Sequence, residues 1–412
     1  MSSTGTLRGM TRTCAGLIVF LGLAAPLAWP EEPPVRIGYL LSRGEGFGAS
    51  DRAGATMGED EINQQAQALG KRFELIFAQG GHSSEVLAEA KRLIDKDGAK
   101  ALLGSVSDAA TIALSALAQE QGVVFFNIGS DVDTLRGAKC RRNTFSIGPS
   151  LAMRVRAMGL WAIQAKEWKT WVILQGESKA EARQADAARL YAEANGAKVL
   201  ATLQVAEAES HASGAVLEKL RGLNPQFVFV ALSGEKQQLV LEAYQAAGLT
   251  FPAGGAKPEL VGLGRDTAKF TGYWTTGWSH LSRIFGASEL NNRYVDYAGL
   301  PMDERAWAAW AGVKVLGEAL LRAKSAAPAD LVPYLREHVQ FDGYVGSALS
   351  FRPWNQQLRQ VLTIVKVNHD SPWNGWDTSV PEASVPFRGI KGWQGDPLDA
   401  FDFTAEESGC KF

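Results

Sequence analysis

The sequence predicts an α/β protein that contains two doubly wound parallel sheets. Strand-like apolar runs alternate with amphipathic helical segments from Val35 to Ile128, and a second series of units of similar length begins at Trp171. The chain has 412 residues, of which 46% are hydrophobic, whereas single cores stop growing at roughly 250–300 residues. We therefore expect two lobes, each with its own core.

In the first series, short apolar runs predict strands and the periodic segments between them predict helices. Ser50 is placed to cap the first helix, and Asp97-Gly98 ends the second. Strands that are separated by helices pair in parallel, with the helices covering both faces. The predicted strands are Val35–Leu41, Phe73–Ala78, Ala101–Leu103 and Val123–Phe126, and the helices are Ser50–Leu69, Val86–Ile94 and Ala109–Gln119.

The second series repeats this order and then changes character after Gly272. It is predicted to hold the strands Trp171–Leu174, Lys198–Gln204, Phe227–Leu232 and Glu259–Leu263, with the helices Leu151–Trp168, Lys179–Asn195 and Glu235–Ala247. An aromatic segment, three helices, a last strand and a Pro/Trp/Gly-rich tail follow, at Tyr273–Trp278, Ser288–Tyr297, Glu304–Lys324, Ala329–Val339, Val361–Val367 and Ser371–Phe412.

The N-terminus predicts export. Arg8 and Arg12 precede an apolar run from Ala15 to Ala28, which is typical of a secretory signal peptide and too short for a comfortable membrane span. We expect residues 1–28 to be removed and the mature protein to be soluble in the periplasm.

Two cysteines remain after that cleavage, Cys140 and Cys410. An oxidising compartment favours one disulfide between them, which would tie the C-terminal tail to the first lobe. Two unpaired thiols are the alternative, because sequence alone does not report their distance.

Charge and motifs argue against several function classes. A net charge of −2 with both signs interspersed predicts no nucleic-acid partner. Gly44–Ala49 matches a dinucleotide fingerprint, but the second strand lacks the acid that binds the ribose. The histidines show no metal-ligand spacing and no nucleophile elbow is present. We expect no catalysis and no cofactor, and we assign no metal ligands.

Candidate ligand-binding residues follow from the predicted topology. Ligands of open α/β sheets bind outside the carboxyl ends of the strands, and a ligand between two lobes contacts loops of both. The candidates are Glu45, Phe47, Ser105, Ser107, Asp108, Ser130 and Asp131 from the first lobe, and Glu177, Glu235 and Asp266 from the second.

Five segments carry a family resemblance through their order and spacing. They are Val35–Leu41 (VRIGYLL), Glu59–Asn63 (EDEIN), Ala90–Ile94 (AKRLI), Gly104–Asp108 (GSVSD) and Gly122–Ile128 (GVVFFNI). The sequence from about Val35 to Val367 resembles type I periplasmic binding proteins of the branched-chain amino-acid (leucine/isoleucine/valine) class. The tail, including Phe351–Arg359 (FRPWNQQLR), looks like a subgroup associated with PQQ-dependent alcohol dehydrogenase systems.

This resemblance implies a fold and a function. It implies two lobes joined by a three-crossover hinge, with residues 35–149 and 272–337 in lobe 1, 150–271 and 338–370 in lobe 2, and 371–412 as a tail. It also implies a monomer that captures a small solute and delivers it to an ABC permease in the inner membrane. A ligand-sensing receptor or regulator and a periplasmic accessory protein of a quinoprotein dehydrogenase are the alternative functions.

The sequence departs from the family where amino-acid-binding members hold the ligand carboxylate. The resemblance places Asp108 where those members have a hydroxyl residue, and the next loop offers Ser130 and Asp131. A ligand carboxylate would meet like charge there, so we expect a cationic ligand, either a metal ion held by oxygens or an amine. The alternative is that both aspartates cap the helical turns after them, and that Glu177 and Glu235 are solvated.

Overall fold

The computed structural model describes residues 33–43, 48–206, 214–257, 271–367, 379–387 and 389–412. The expected signal peptide lies outside these residues, as do the candidates Glu45, Phe47 and Asp266 and the predicted strand Glu259–Leu263. Across the described ranges, no helix has the length and apolarity that crossing a membrane requires.

The first lobe is built on a parallel five-stranded sheet. Its strands are β1 (Val35–Ser42), β2 (Phe73–Gly80), β3 (Ala101–Ser105), β4 (Val124–Asn127) and β5 (Thr144–Ser146), joined by the helices α1 (Ala49–Gln67), α2 (Ser83–Asp95) and α3 (Asp108–Gln121). They pair in the order β2-β1-β3-β4-β5. All residues of β3 and β4 are buried, which is why these strands are continuous apolar runs.

The second lobe begins with a helix and another parallel series. Its elements are α4 (Leu151–Leu160), β6 (Thr170–Gln175), α5 (Lys179–Ala194), β7 (Lys198–Gln204), α6 (Gly214–Leu223), β8 (Phe227–Ala231), α7 (Gly234–Ala246), β9 (Ala253–Gly255) and β10 (Tyr273–Thr276). The predicted helix Leu151–Trp168 is α-helical to Leu160 and continues as a π-helix from Trp161 to Ala165, so it ends three residues before the predicted end. The two lobes confirm the predicted α/β class with parallel sheets.

The chain then returns to the first lobe. There it forms α8 (Ala287–Ala298), α9 (Glu304–Ala323), α10 (Pro328–Glu337) and a small antiparallel sheet of β11 (Phe341–Asp342), β12 (Ala348–Phe351) and β13 (Leu358–Arg359). Most residues of helix α9 are buried, and the helix packs along α1. The two backbones touch, since a Cβ added to Gly54 would lie 2.1 Å from the Ala306 carbonyl oxygen.

The last elements complete the second lobe. They are β14 (Leu362–Val367), β15 (Ser379–Val385) and the short α11 (Ala405–Ser408). The second sheet has the order β15-β14-β10-β9-β8-β6-β7, in which β14 is antiparallel to both neighbours. Part of the tail is therefore a strand of this sheet. Its end returns to the first lobe, where Cys410 forms a disulfide with Cys140 (Cα–Cα 5.8 Å).

Among the described residues, the lobes are joined by three crossings before the C-terminal tail, as the resemblance implies, and these crossings lie close together. The chain crosses between the two cores near Pro149, at Gly277 and after Gln360. A Cβ added to Gly277 would lie 3.3 Å from Cγ of Pro149 and 3.1 Å from Oε1 of Gln360, and Gln360 Nε2 donates to the Ile147 carbonyl (2.7 Å). We call these crossings the hinge.

Strand pairing changes two of the lobe boundaries expected from the sequence. Residues 272–276 were expected in lobe 1, but β10 pairs with β9 and β14 of the second sheet. Residues 338–360 were expected in lobe 2, but Phe341, Leu349 and Leu358 pack in the first core. An apolar alternation predicts a strand without identifying its sheet, so the boundaries could not be placed from the pattern alone.

Candidate functional site

The loops after the parallel strands of the two lobes face each other. Asp108 follows β3, and its Oδ2 lies 3.7 Å from Nη2 of Arg183 on α5. Asp131 follows β4, and its Oδ2 lies 3.5 Å from Nζ of Lys257, which follows β9. We call the space between these loops the cleft. It is the place that parallel α/β sheets offer to a ligand.

Asp108 opens helix α3 but does not cap it. The cap is Ser107, whose Oγ accepts from the Ala110 amide (3.4 Å). The Asp108 carboxylate instead accepts a hydrogen bond from Ser130 Oγ (2.7 Å). The alternative that Asp108 serves as the helix cap is therefore wrong. Its carboxylate is held by a hydroxyl group and a guanidinium, which is how a bound carboxylate is commonly held.

The loop after β4 is held by Asn127, the last residue of that strand. Asn127 accepts from the Ser130 amide (3.0 Å) and donates to the Ser130 carbonyl (2.8 Å). Asp131 does not cap the helical turn Asp133–Arg136 that contains Leu135, because the N-cap position of that turn is Val132. Burial alone would raise the pKa of Asp131, but Lys257, Arg154 and Arg136 together lower it. Asp131 is therefore an ionised group of the cleft.

A buried arginine that the sequence analysis did not single out supports the same loop. Arg136 is fully buried, and its guanidinium donates to the carbonyls of Ser130, Val132 and Gly148 (2.9–3.4 Å) and to Gln357 Oε1 (2.7 Å). It joins the cleft loop to the hinge. Arginine is rarely buried unless paired, and nothing in its spacing marked it.

On the second lobe, the acid at the ends of the strands that is buried and hydrogen-bonded is Glu181. It is buried and forms a capping box with Ser178 at the start of α5, accepts from the Ser233 amide and hydroxyl (3.0 and 3.1 Å), and lies 3.6 Å from Lys236 Nζ. The candidates Glu177, next to Ser178, and Glu235, in the first turn of α7, are exposed. The spacing Ser178-x-x-Glu181 is a capping-box signal that was readable from the sequence.

A second buried acid lies in the first lobe. Asp51, in the first turn of α1, is not exposed to solvent. Its Oδ2 accepts a hydrogen bond from Nε of Arg305 (2.9 Å), at the start of α9, and lies 2.7 Å from Nη2 of the same guanidinium. The same Nη2 donates to Oγ of the candidate Ser105 (3.1 Å). Three elements thus meet at a polar cluster at the β3 end of the cleft.

These contacts change the electrostatic argument made from the sequence. A cationic ligand was expected because a ligand carboxylate would meet the like charge of Asp108 and Asp131, yet Arg183 and Lys257 of the opposite lobe lie beside these aspartates. Among the described residues, no group of three or more His, Cys, Asp or Glu side chains is arranged to hold a metal ion. The cleft is a site of paired charges.

Two cavities lie elsewhere in the first lobe, around α9, α10 and β12. Their volumes are about 220 and 410 Å³. They share Val339 and Gln340 in their walls and contain none of the candidate ligand residues.

Comparison with known proteins agrees with this architecture. A family model described as periplasmic binding protein matches residues 34–372. The Leu/Ile/Val-binding protein homolog 8 of Brucella abortus (strain 2308) is 29% identical over 91 residues, which are 22% of this chain and 23% of that relative's length. This match thus spans less than a quarter of the relative.

Solved structures extend the likeness to the whole fold. A branched chain amino acid ABC transporter periplasmic ligand-binding protein from Burkholderia xenovorans LB400 superposes with a TM-score of 0.79 at 16% identity, covering 91% of this chain and 99% of that one. A solute binding protein of an ABC transporter from R. palustris, in complex with benzoate, gives 0.69 at 18% identity, covering 92% and 100%. These likenesses confirm the type I fold, and the family match covers most of the chain. The chain belongs to the periplasmic binding protein family.

Proposed function

We propose that the protein captures a small solute in the cleft and delivers it to an ABC permease in the inner membrane, without catalysing a reaction. The observation that carries the proposal is that strand-end loops from both lobes meet around one cleft, with Asp108 beside Arg183 and Asp131 beside Lys257. Two lobes on a hinge that share one polar cleft can close around a solute. Export to the periplasm is part of the proposal.

Binding is the direct test. We would strip the mature protein of metals and measure thermal shifts with calcium and trivalent metal ions, amines, branched-chain amino acids, PQQ, small alcohol-derived acids and benzoate. A ligand at 100 times its dissociation constant stabilises the native state by about 2.7 kcal/mol. We expect at least one class of solute to give such a shift. No shift from any member of the panel would contradict the proposal.

The cross-lobe pairs provide a variant test that also settles the cationic alternative. We expect D108S/D131S to retain the fold and to change the affinity for whichever solute binds, whereas E218Q on the exposed surface of α6 should not. If the solute were a metal ion or an amine, the double variant would bind it more weakly, because both carboxylates that could face its charge are gone. Unchanged affinity would remove Asp108 and Asp131 from the site.

A link to PQQ-dependent alcohol oxidation is the proposed physiological setting. Its support is the resemblance of Phe351–Arg359 and the tail. The contacts in the cleft do not bear on it. We expect a deletion strain to grow normally on sugars and poorly on alcohols that are oxidised by a PQQ-dependent enzyme. Equal growth on both would leave solute capture intact and remove this setting.

A further inference from the structure

The last residues of the chain connect the two lobes a further time. Residues 396–412 follow the three crossings of the hinge, and we call this segment the strap. The Phe401 side chain of the strap is not exposed and packs in the second core, whereas Cys410 is bonded to Cys140 of the first lobe. The strap is therefore fixed to both lobes, and its attachment to the first lobe is covalent.

On the second lobe, the strap is held at the start of α4. The Arg156 guanidinium donates to the Asp402 carbonyl (2.7 Å) and to the Glu407 carboxylate (3.0 Å), and its Cζ lies 4.8 Å from the centroid of the Phe403 ring. Ser150, which caps α4, donates to Oδ1 of Asp402 (3.5 Å). These contacts bind the strap beside the first crossing of the hinge.

On the first lobe, the strap is held at the end of the chain. The Arg336 guanidinium of α10 lies over the Phe412 ring, with 4.9 Å between Cζ and the ring centroid. Ser408 lies against the segment that leads to Cys140, since a Cβ added to Gly137 would lie 2.8 Å from the Ser408 carbonyl oxygen. Within one helical turn of the strap, the contacts thus change from the second lobe to the first.

The residues between the two attachments form a compact turn. The short helix α11 begins with a capping box, in which the Thr404 amide donates to Glu407 (2.9 Å) and the Glu407 amide donates to Thr404 (3.2 Å). The Cys410 amide donates to Ser408 Oγ (3.2 Å). A rotation of one lobe against the other must therefore unfold this turn or break contacts of the strap with one lobe.

The strap makes these contacts in an arrangement in which the lobes also meet across the cleft. The two cross-lobe ion pairs of the cleft are part-exposed, and pairs of that kind contribute little to stability. In contrast, Asp402 of the strap is paired with Arg352, and neither side chain is exposed. Breaking a buried pair is much more costly than breaking an exposed one, so the strap resists separation of the lobes more strongly than the cleft does.

We propose that the strap limits how far the two lobes separate, and that the Cys140–Cys410 disulfide is the bond that keeps it attached to the first lobe. The contacts of Ser408 and Phe412 with the first lobe can break and re-form during a rotation, whereas the disulfide stays closed. Opening of the cleft is then confined to the rotation that the compact turn allows. This inference goes beyond solute capture, and its test needs no solute.

The competing explanation is that the strap and its disulfide only stabilise the folded state. A restraint on the hinge changes the distance between the lobes of the folded protein, whereas a stabilising contact changes only its resistance to unfolding. G54A is the matched control, because a Cβ at Gly54 overpacks the contact of α1 with α9 in the first lobe and leaves the strap unchanged.

The test measures the distance between the lobes by pulsed EPR. Gln79 and Gln204 are exposed residues near the carboxyl ends of β2 and β7, which are the outermost strands of the two sheets on the side away from the hinge. A genetically encoded ketone amino acid at both positions couples to an oxyamine nitroxide and leaves the cysteines unmodified. A wash in urea removes co-purified solute from every sample.

Four samples of the mature protein are compared. They are the oxidised protein, the same protein after reduction with dithiothreitol and capping with iodoacetamide, C140S/C410S, and G54A. Nitroxides are coupled after capping, mass spectrometry confirms that both cysteines are capped, and circular dichroism reports the fold of each sample. We expect the oxidised protein and G54A to give the same dominant distance. The capped protein and C140S/C410S should show a longer-distance population that is at least about fivefold larger, the lower end of the range for coupling between two sites.

Three results would overturn the inference. The first is the same distance distribution in the oxidised and the capped protein, or a shift to shorter distances after capping. The second is an equal shift in G54A, which would assign the change to lost stability. The third is loss of the fold in both the capped protein and C140S/C410S, which would make the disulfide a requirement for folding. If only C140S/C410S fails to fold, the capped protein decides the question, because its disulfide is opened after folding.

Discussion

Arg352 and Asp402 form an ion pair in which neither side chain is exposed to solvent, with 2.8 Å between Nη1 and Oδ2. The contact is close but lacks hydrogen-bond alignment, so Oδ2 has no hydrogen-bond donor. Oδ1 of the same carboxylate accepts from Ser150 Oγ (3.5 Å), at the first crossing of the hinge. The buried carboxylate of Asp402 thus connects the tail to the hinge.

Removing that charge should destabilise the protein. D402N leaves the buried Arg352 with Asp399 as its remaining carboxylate (Nε–Oδ1 2.8 Å), and breaking one side of a buried pair costs about 3–5 kcal/mol. We expect a large fall in the midpoint of thermal unfolding. The control is E407Q, which removes an exposed carboxylate of the same tail that pairs with Arg156 and should cost less than about 1 kcal/mol. Similar losses in both variants would contradict the role given to burial.

The disulfide should add to the same attachment. Cys140 and Cys410 are separated by 270 residues, and closing a long loop restricts the unfolded chain, a contribution of about 2–5 kcal/mol. We expect C140S/C410S to unfold at a lower denaturant concentration than the wild type. A reductant should lower the wild-type midpoint to that of the variant and leave the variant unaffected. A midpoint that does not respond to reductant would show that the covalent link contributes nothing.

The contact between α1 and α9 should tolerate no side chain at Gly54. Its Cβ would lie 2.1 Å from the Ala306 carbonyl oxygen, a backbone atom that cannot rotate away. We expect G54A to cost at least about 1–3 kcal/mol, the usual range for overpacking. The control is G222A in α6, where nothing lies within 4 Å of the added Cβ and helix propensity should stabilise by up to about 1 kcal/mol. Both variants are compared with the wild type by urea unfolding, and a G54A variant that is as stable as the wild type would contradict the close contact of the two backbones.

Local chemistry predicted much of the fold. The buried strands β3 and β4 are apolar along their whole length because both faces are covered, and that pattern can be read directly from the sequence. The positions of Ser107 and Asp108 at a cleft loop followed from the same topology, since parallel strands end at one edge of a sheet. These features follow from the apolar pattern along the chain and from the common edge at which parallel strands end.

The pairing of the site residues could not be predicted in this way. Asp108 meets Arg183, and Asp131 meets Lys257, only after two lobes have folded and faced each other. The burial of Arg136 and the contact of Arg305 with Asp51 likewise depend on where distant helices pack. The expected charge of the ligand is the prediction that these contacts change most. It was based on the acids of the cleft alone, and the basic partners of those acids were not known from the sequence.

Asp133 makes the stability of the cleft loop depend on pH. Burial raises its pKa to about 6 even though the Ala152 amide and Arg136 lower it, and Asp402 and Asp131 raise it further. Its carboxylate accepts from that amide at the start of α4 (3.1 Å). Because the folded state holds this proton more tightly than the unfolded chain, the stability that the group contributes is lost as the pH rises from about 4 to about 6.

Replacing Asp133 with asparagine should therefore stabilise the protein at neutral pH. D133N keeps an acceptor for the Ala152 amide and removes the cost of a buried negative charge, which for this pKa is up to about 3 kcal/mol. We expect D133N to unfold at a higher denaturant concentration than the wild type at pH 7, a smaller gain at pH 5, and none at or below about pH 4. The control is D186N on the exposed face of α5, which should show no such dependence. A gain for D133N that is the same at pH 4 and pH 7, or a loss at pH 7, would mean that this carboxyl ionises as an ordinary surface group.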